Sequence, residues 1–373
     1  MGRWQYWVME EHWDTAREVL CVRLDTIGDV LMTGPAMRAL KPGRRLTLLT
    51  SSAGAAIAEL MPEVDERVVY DAPWMKADSA ITDPAADREL VEQLRQRRFD
   101  AAVIFTVYSQ SPLPAALLCL LAEVPLRLAH CRENPYALLS DWVRESEPHD
   151  QVRHEVRRQL DLVASVGART GDERLAVTLP SAARERAAEL LAAVGFQPGE
   201  EWIVVHPGAS APSRRYPPEL LARACRELTD VHGVGLLFTG AAGERQLIED
   251  VRGRVESPTK SLAGTLSLAE LAALLEAAPL LLSGNTGPVH LAAAVGTPVV
   301  DIYALTNPQH TPWQVASKVL SHDVPCRWCY RSICPERHHL CLRGVAPGTV
   351  VTAVLELLRD PAVTGSGCRV SGF

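Results

Sequence analysis

Asp29 closes the loop Asp25-Thr-Ile-Gly-Asp29, which follows the apolar run of residues 18–24 and opens the segment of residues 30–40. A carboxylate there can take a proton from an attacking hydroxyl, or it can simply cap the helix it begins. A second group lies late in the chain. Residues 280–300 read as strand, tight turn, helix, turn and strand. Pro288 suits the first turn of that helix, Thr286 can cap it, and the amides near Thr286 and Gly287 form an end that attracts anions, above all phosphates. Arg214 and Arg215 add positive charge, and Glu244, after Gly240-Ala-Ala-Gly, adds an acceptor. Cation, helix end and carboxylate together suit the phosphates and ribose hydroxyls of a nucleoside diphosphate. No Walker-type phosphate loop and no GxGxxG is present, so neither a P-loop NTPase nor an ordinary dinucleotide oxidoreductase is favoured.

These residues need elements to hold them. In the first half, residues 45–50, 67–70 and 101–106 read as strands and 90–98 as a helix. Pro35 is expected to kink the segment 30–40. Residues 150–167 form a charged amphipathic helix in which His154 reads as structural, and the serines at 109–111 follow a strand end. Residues 73–84 read as a mobile loop on the acceptor side, and residues 1–16 are assigned no chemistry. The pattern restarts with strands at 202–206 and 234–239 and a helix at 268–276. Loops 206–215, 240–244 and 284–287 each follow a strand of one parallel sheet, so they converge at one edge. The fold class is therefore α/β, with two Rossmann-like domains whose parallel sheets face a central cleft. The expected division is residues 1–180, residues 181–345, a helix over 346–360 and a tail over 361–373.

The formal net charge of −7, with no basic stripe interleaved with aromatics, argues against nucleic acid as partner. The start lacks a signal-peptide pattern and no apolar run reaches membrane-span length, so the expected location is cytoplasmic, with at most peripheral membrane contact. Of nine cysteines, five are scattered and four are clustered: Cys326, Cys329, Cys334 and Cys341, with His338 and His339 nearby. Four such thiols suit a structural Zn or Fe site, and equally suit reduced thiols or local disulfides.

The motifs at residues 23–40, His206-Pro-Gly-Ala-Ser210, Ser213-Arg-Arg-Tyr-Pro217 and Asn285-Thr-Gly-Pro-Val-His290 resemble those of the ADP-heptose heptosyltransferases, glycosyltransferase family nine. The resemblance runs over about residues 19–358. It implies a GT-B fold, an N-terminal acceptor-binding domain, a C-terminal domain for the nucleotide-sugar donor, and a last helix crossing back to the first domain. It implies inverting transfer of a heptose or related sugar from an ADP-sugar, needing no cofactor for catalysis, to a hydroxyl of lipopolysaccharide core, a protein or a small metabolite. Asp29 matches the family's general base and Arg23 a basic residue near it. Ser210, Arg214, Arg215, Glu244, Leu266, Asn285, Thr286, Gly287 and His290 match the donor-binding positions, with Leu266 against the adenine. Asn285 stands where the family has aspartate, and Arg214 where it has lysine. Another nucleotide diphosphate sugar, or a non-catalytic sugar-nucleotide-binding protein, are the alternative readings.

Overall fold

The computed structural model describes residues 12–75, 84–196 and 200–361. Residues 1–11, most of the expected mobile loop and the tail from 362 onward lie outside the described residues. The chain divides into two compact units, residues 1–172 and 173–373.

The first unit is built on β1 (Glu18–Arg23), β2 (Arg45–Thr50), β3 (Glu66–Val69), β4 (Ala101–Ile104), β5 (Leu126–Cys131) and β6 (Asp141–Arg144). Their order is β3-β2-β1-β4-β5-β6, and every neighbouring pair is parallel. Val19, Leu20, Cys21 and Val22 are at most 1% exposed, as expected of a strand covered on both faces by helices. The helix Ile27–Leu40 follows β1 and runs on through Pro35. The helix Glu155–Ala164 packs against it and starts five residues later than the sequence suggests, with His154 as its N-cap. The His154 ring nitrogen Nδ1 accepts from the Val156 amide at 3.2 Å, a structural role.

The second unit repeats the plan with β7 (Trp202–His206), β8 (Gly235–Phe238), β9 (Lys260–Ser261), β10 (Leu281–Gly284), β11 (Val299–Ile302) and β12 (Ser317–Leu320). The order β12-β11-β10-β7-β8-β9 is the first unit's order read from the other edge, again all parallel. In both units the chain reverses direction across the sheet beside its first strand, between β1 and β4 and between β7 and β10. In open α/β sheets, ligands bind outside the strand ends at such a switch point. Ile203, Val205, Leu282, Val300 and Ile302 form the floor of the second unit with Leu236 and Phe238. Burying side chains of this kind stabilises by about 1.5–3 kcal/mol each, which makes the sheets rigid and leaves chemistry to the loops at their ends. The helix Pro347–Arg359 packs on the helix Pro218–Asp230 and on β11 and β12. No helix among the described residues is long and apolar enough to cross a membrane.

Candidate active site

In the first unit the switch point carries Arg23, the last residue of β1, with a wholly buried side chain. Its guanidinium is held by three carboxylates. Asp25 Oδ2 lies 2.8 Å from Nε, Glu155 Oε1 2.8 Å from Nη1 and Asp29 Oδ1 3.4 Å from Nη2. Burial opposes its charge, but Asp25, Glu155 and Asp29 outweigh that and hold Arg23 protonated above its ordinary range. Asp29 sits in the first turn of the helix and is 18% exposed. Its Oδ2 accepts from the Thr26 amide at 3.3 Å and hydroxyl at 3.0 Å, so the capping role exists. Its Oδ1 accepts from Arg23 Nη2 at 3.4 Å. Oδ2 thus fixes the group on the helix end, and Oδ1 faces the Arg23 guanidinium.

Asp25 was not singled out by the sequence. Burial, with the charges of Asp29 and Glu155, raises its carboxyl to about 6 against the opposing pull of Arg23 and the Gln110 amide. Gln110, from the loop after β4, donates to Asp25 Oδ1 at 2.7 Å. Loops after β1 and β4 therefore meet across the switch point.

In the second unit the loops after β7, β8 and β10 come together, because β7 lies between the other two strands. Arg214 ends the short turn Pro212–Arg214 and is half-buried, and its Nε makes no hydrogen bond within the protein. The turn is tied from behind. The Ser213 amide donates to the Ser332 carbonyl at 3.0 Å and its hydroxyl to the Arg331 carbonyl at 2.7 Å. Arg215 is exposed and donates from Nε to the Ala209 carbonyl at 2.8 Å, while Ser210 is exposed on the same loop. Gly284, at the end of β10, approaches the Arg214 backbone so closely that a Cβ would stand 3.0 Å from its carbonyl oxygen.

Glu244 lies in the turn Ala242–Glu244, accepts from the Ala241 amide at 2.8 Å and packs so tightly on Gly208 that a Cβ there would overlap its carboxylate. His206 Nε2 is 3.8 Å away. Burial lowers the His206 imidazole, and Glu244 opposes that effect. Leu266 is half-buried in the loop before the helix Leu268–Ala277. That loop is joined to the Glu244 turn by the Gly264 amide, which donates to the Gly240 carbonyl at 2.8 Å.

Thr286 is the N-cap of the helix Gly287–Val295 by position, yet its hydroxyl makes no capping bond, contrary to the sequence expectation. The backbone is fully extended at Thr286, and Pro288 supplies no amide at the helix start. The end of this helix thus keeps its affinity for an anion. Asn285 is 2% exposed, and its side-chain amide lies beside the Tyr303 hydroxyl. His290 is buried one turn into the helix.

The cysteine cluster departs from the metal-site expectation. Among the described residues no group of three or more His, Cys, Asp or Glu side chains is arranged to hold a metal ion. Cys326, Cys329 and Cys334 lie near enough to Cys341 to add to the burial that raises its thiol. Cys326 and Cys341 turn onto the apolar cluster of Tyr303, Leu305 and Val324, with Cys326 Sγ 3.9 Å from His338 Nε2. The surrounding segment is pinned by its backbone, Trp328 and Tyr330 donating to the Leu305 and Thr306 carbonyls at 2.7 and 2.8 Å.

Sequence reasoning also missed Glu155 and Gln159. Both lie on the face of their helix that carries Leu162, so the signal was available as polar residues at core-facing positions, spaced four and three apart.

The model of glycosyltransferase family 9 (heptosyltransferase) matches residues 88–340. Lipopolysaccharide heptosyltransferase 2 of Salmonella typhimurium is 23% identical over 370 residues, covering 93% of this chain and 100% of the relative. A glycosyl transferase of family 9 from Veillonella parvula superposes with a TM-score of 0.78 at 20% identity, over 94% of this chain and 98% of that one. The ADP-heptose LPS heptosyltransferase II of Escherichia coli gives 0.71 at 21%, over 91% and 98%. The chain belongs to glycosyltransferase family 9, the heptosyltransferases, and is a glycosyltransferase with the GT-B fold.

Proposed function

We propose that this protein transfers a heptose from ADP-heptose to a hydroxyl of lipopolysaccharide core, with inversion at the anomeric carbon. The observation that carries the reading is the meeting of Arg214, Glu244 and the helix end at Thr286 and Gly287 on one sheet edge. That set supplies a cation and backbone amides for a diphosphate and a carboxylate for ribose hydroxyls. The relatives' names supply the sugar and the acceptor class, lipopolysaccharide heptosyltransferase and ADP-heptose. The family match begins at residue 88, downstream of Asp29, so the role of Asp29 rests on its own geometry.

In the reaction, the acceptor oxygen forms a bond to the anomeric carbon as the bond from that carbon to the diphosphate oxygen breaks. The acceptor proton passes to Asp29, and the charge gained by the departing ADP is stabilised by Arg214 and the amides at Thr286 and Gly287. Ser210, Arg215, Leu266, Asn285 and His290 complete the donor site, with Leu266 against the adenine. Asn285, neutral where the family resemblance implies an aspartate, leaves the diphosphate with one less repulsive neighbour.

Incubation with ADP-heptose and a heptose-deficient lipopolysaccharide core tests the reading. Mass spectrometry is expected to find the core heavier by one heptose and one ADP released for each transfer. Turnover with a UDP- or GDP-sugar in place of ADP-heptose would overturn the donor assignment.

A further inference from the structure

We infer that Glu155, in the first turn of the helix Glu155–Ala164, is a positioning residue for Asp29 and acts through the Arg23 guanidinium. The inference rests on the reading of Asp29 as the base. The guanidinium is a rigid planar fork, so a directional bond at one edge constrains where the other edges fall. Glu155 accepts a directional hydrogen bond from Nη1 at 2.8 Å, Asp25 lies 2.8 Å from Nε as an ion pair without hydrogen-bond geometry, and the edge left for Asp29 stands at 3.4 Å. Asp25 shares the loop of Asp29 and moves with it, so it is no independent reference. Glu155 comes from 132 residues away along the chain.

Glu155 is itself fixed. The Gln159 amide donates to its Oε1 at 2.6 Å and to the Thr106 carbonyl, just past the end of β4, at 3.0 Å. A relay thus runs from the end of β4 through Gln159, Glu155 and Arg23 to Asp29. Arg23, Glu155 and Gln159 are all 0% exposed. Burying an ion pair in this way is a poor route to stability compared with apolar packing, which points to a positional use.

The relay also sets the sign of its effect. One cation faces three acids, and each competes for it. Glu155 engages the guanidinium and draws it off Asp29, which keeps the contact to the base long. Neighbouring charged groups have partners of their own. Arg158 pairs with Glu145 and the Thr106 carbonyl, Arg153 with Glu147 and Asp161, and the His130 ring faces the Arg158 carbonyl. Among the described residues Asp25, which Gln110 steadies, is the one other acid in contact with Arg23.

Carboxyl carbon NMR of the full chain, titrated with pH, tests the inference without needing turnover. Asp29 and Asp25 are assigned by the signals lost in Asp29→Asn and Asp25→Asn. In Glu155→Gln, Arg23 turns to Asp29, and the proton affinity of Asp29 is expected to fall about tenfold while the dissociation constant for ADP holds. An unchanged Asp29 titration in the folded variant would overturn the inference. If Glu155→Gln does not fold, Glu155→Asp keeps the charge but withdraws it by one methylene, and an Asp29 affinity down about threefold is the expected result. No change there would equally overturn it. Transferase turnover retained by Asp29→Asn would instead remove the base reading and leave the titration result standing, so the two failures are distinct.

Discussion

The Cα of Gly284 abuts the carbonyl oxygen of Arg214, closely enough that a methyl group would sit 3.0 Å from that oxygen. The end of β10 and the turn after β7 are thereby locked together, and the cation takes its place relative to the helix end from this contact. Gly284→Ala is expected to push the turn back by tenths of an ångström and weaken ADP binding several-fold. Arg214→Ala removes a charge-assisted contact of about 1.5–3 kcal/mol and is expected to weaken it by at least tenfold. Calorimetric titration with ADP ranks the two; equal affinities across wild type and both variants would refute the phosphate role.

Glu244 and Gly208 make a second matched pair. A side chain at Gly208 overlaps the Glu244 carboxylate, so Gly208→Ala is expected to displace it and to mimic Glu244→Ala. If the carboxylate reads the ribose, wild type binds ADP more tightly than 2′-deoxy-ADP and both variants lose the preference. A preference intact in Glu244→Ala would assign the ribose to another group.

Asp301 offers a test of stability. It is wholly buried in β11, neither carboxyl oxygen has a hydrogen bond, and burial alone raises it well above the usual carboxylate range. An acid whose native proton affinity exceeds its unfolded one stabilises the fold fully below the unfolded value of about 3.9 and loses that contribution as pH rises through the native value. Asp301→Val is therefore expected to gain about 1–3 kcal/mol at pH 8 and less at pH 5. Urea unfolding of both proteins at the two pH values checks this; a gain no smaller at pH 5 would contradict it.

The strands that carry the site were legible because they are central. β1, β7 and β10 are covered on both faces and read as unbroken apolar runs. β5 escaped notice because Arg127 and His130 interrupt it. Both are buried, Arg127 spending its guanidinium on the carbonyls of Val124, Pro125, Ala137 and Leu138. β6 and β12 are edge strands, half-exposed, and lack a strong apolar signature. The sheet order could not be read from composition, since it depends on which crossovers form. Asp29, Arg214 and Glu244 stand out in the sequence by loop position, because polar residues just past central strands are few. Glu155 and Asp25 were missed for the opposite reason: each acts through a partner distant in sequence or hidden beside a more conspicuous acid.

The central claim is that Asp29 takes the acceptor proton, and Asp29→Asn tests it most directly. The variant keeps the shape of the side chain and removes its basicity. Assayed with ADP-heptose and a heptose-deficient lipopolysaccharide core, it is expected to lose about 10²–10⁴ in kcat while binding ADP as wild type does. Turnover at the wild-type rate would contradict the account.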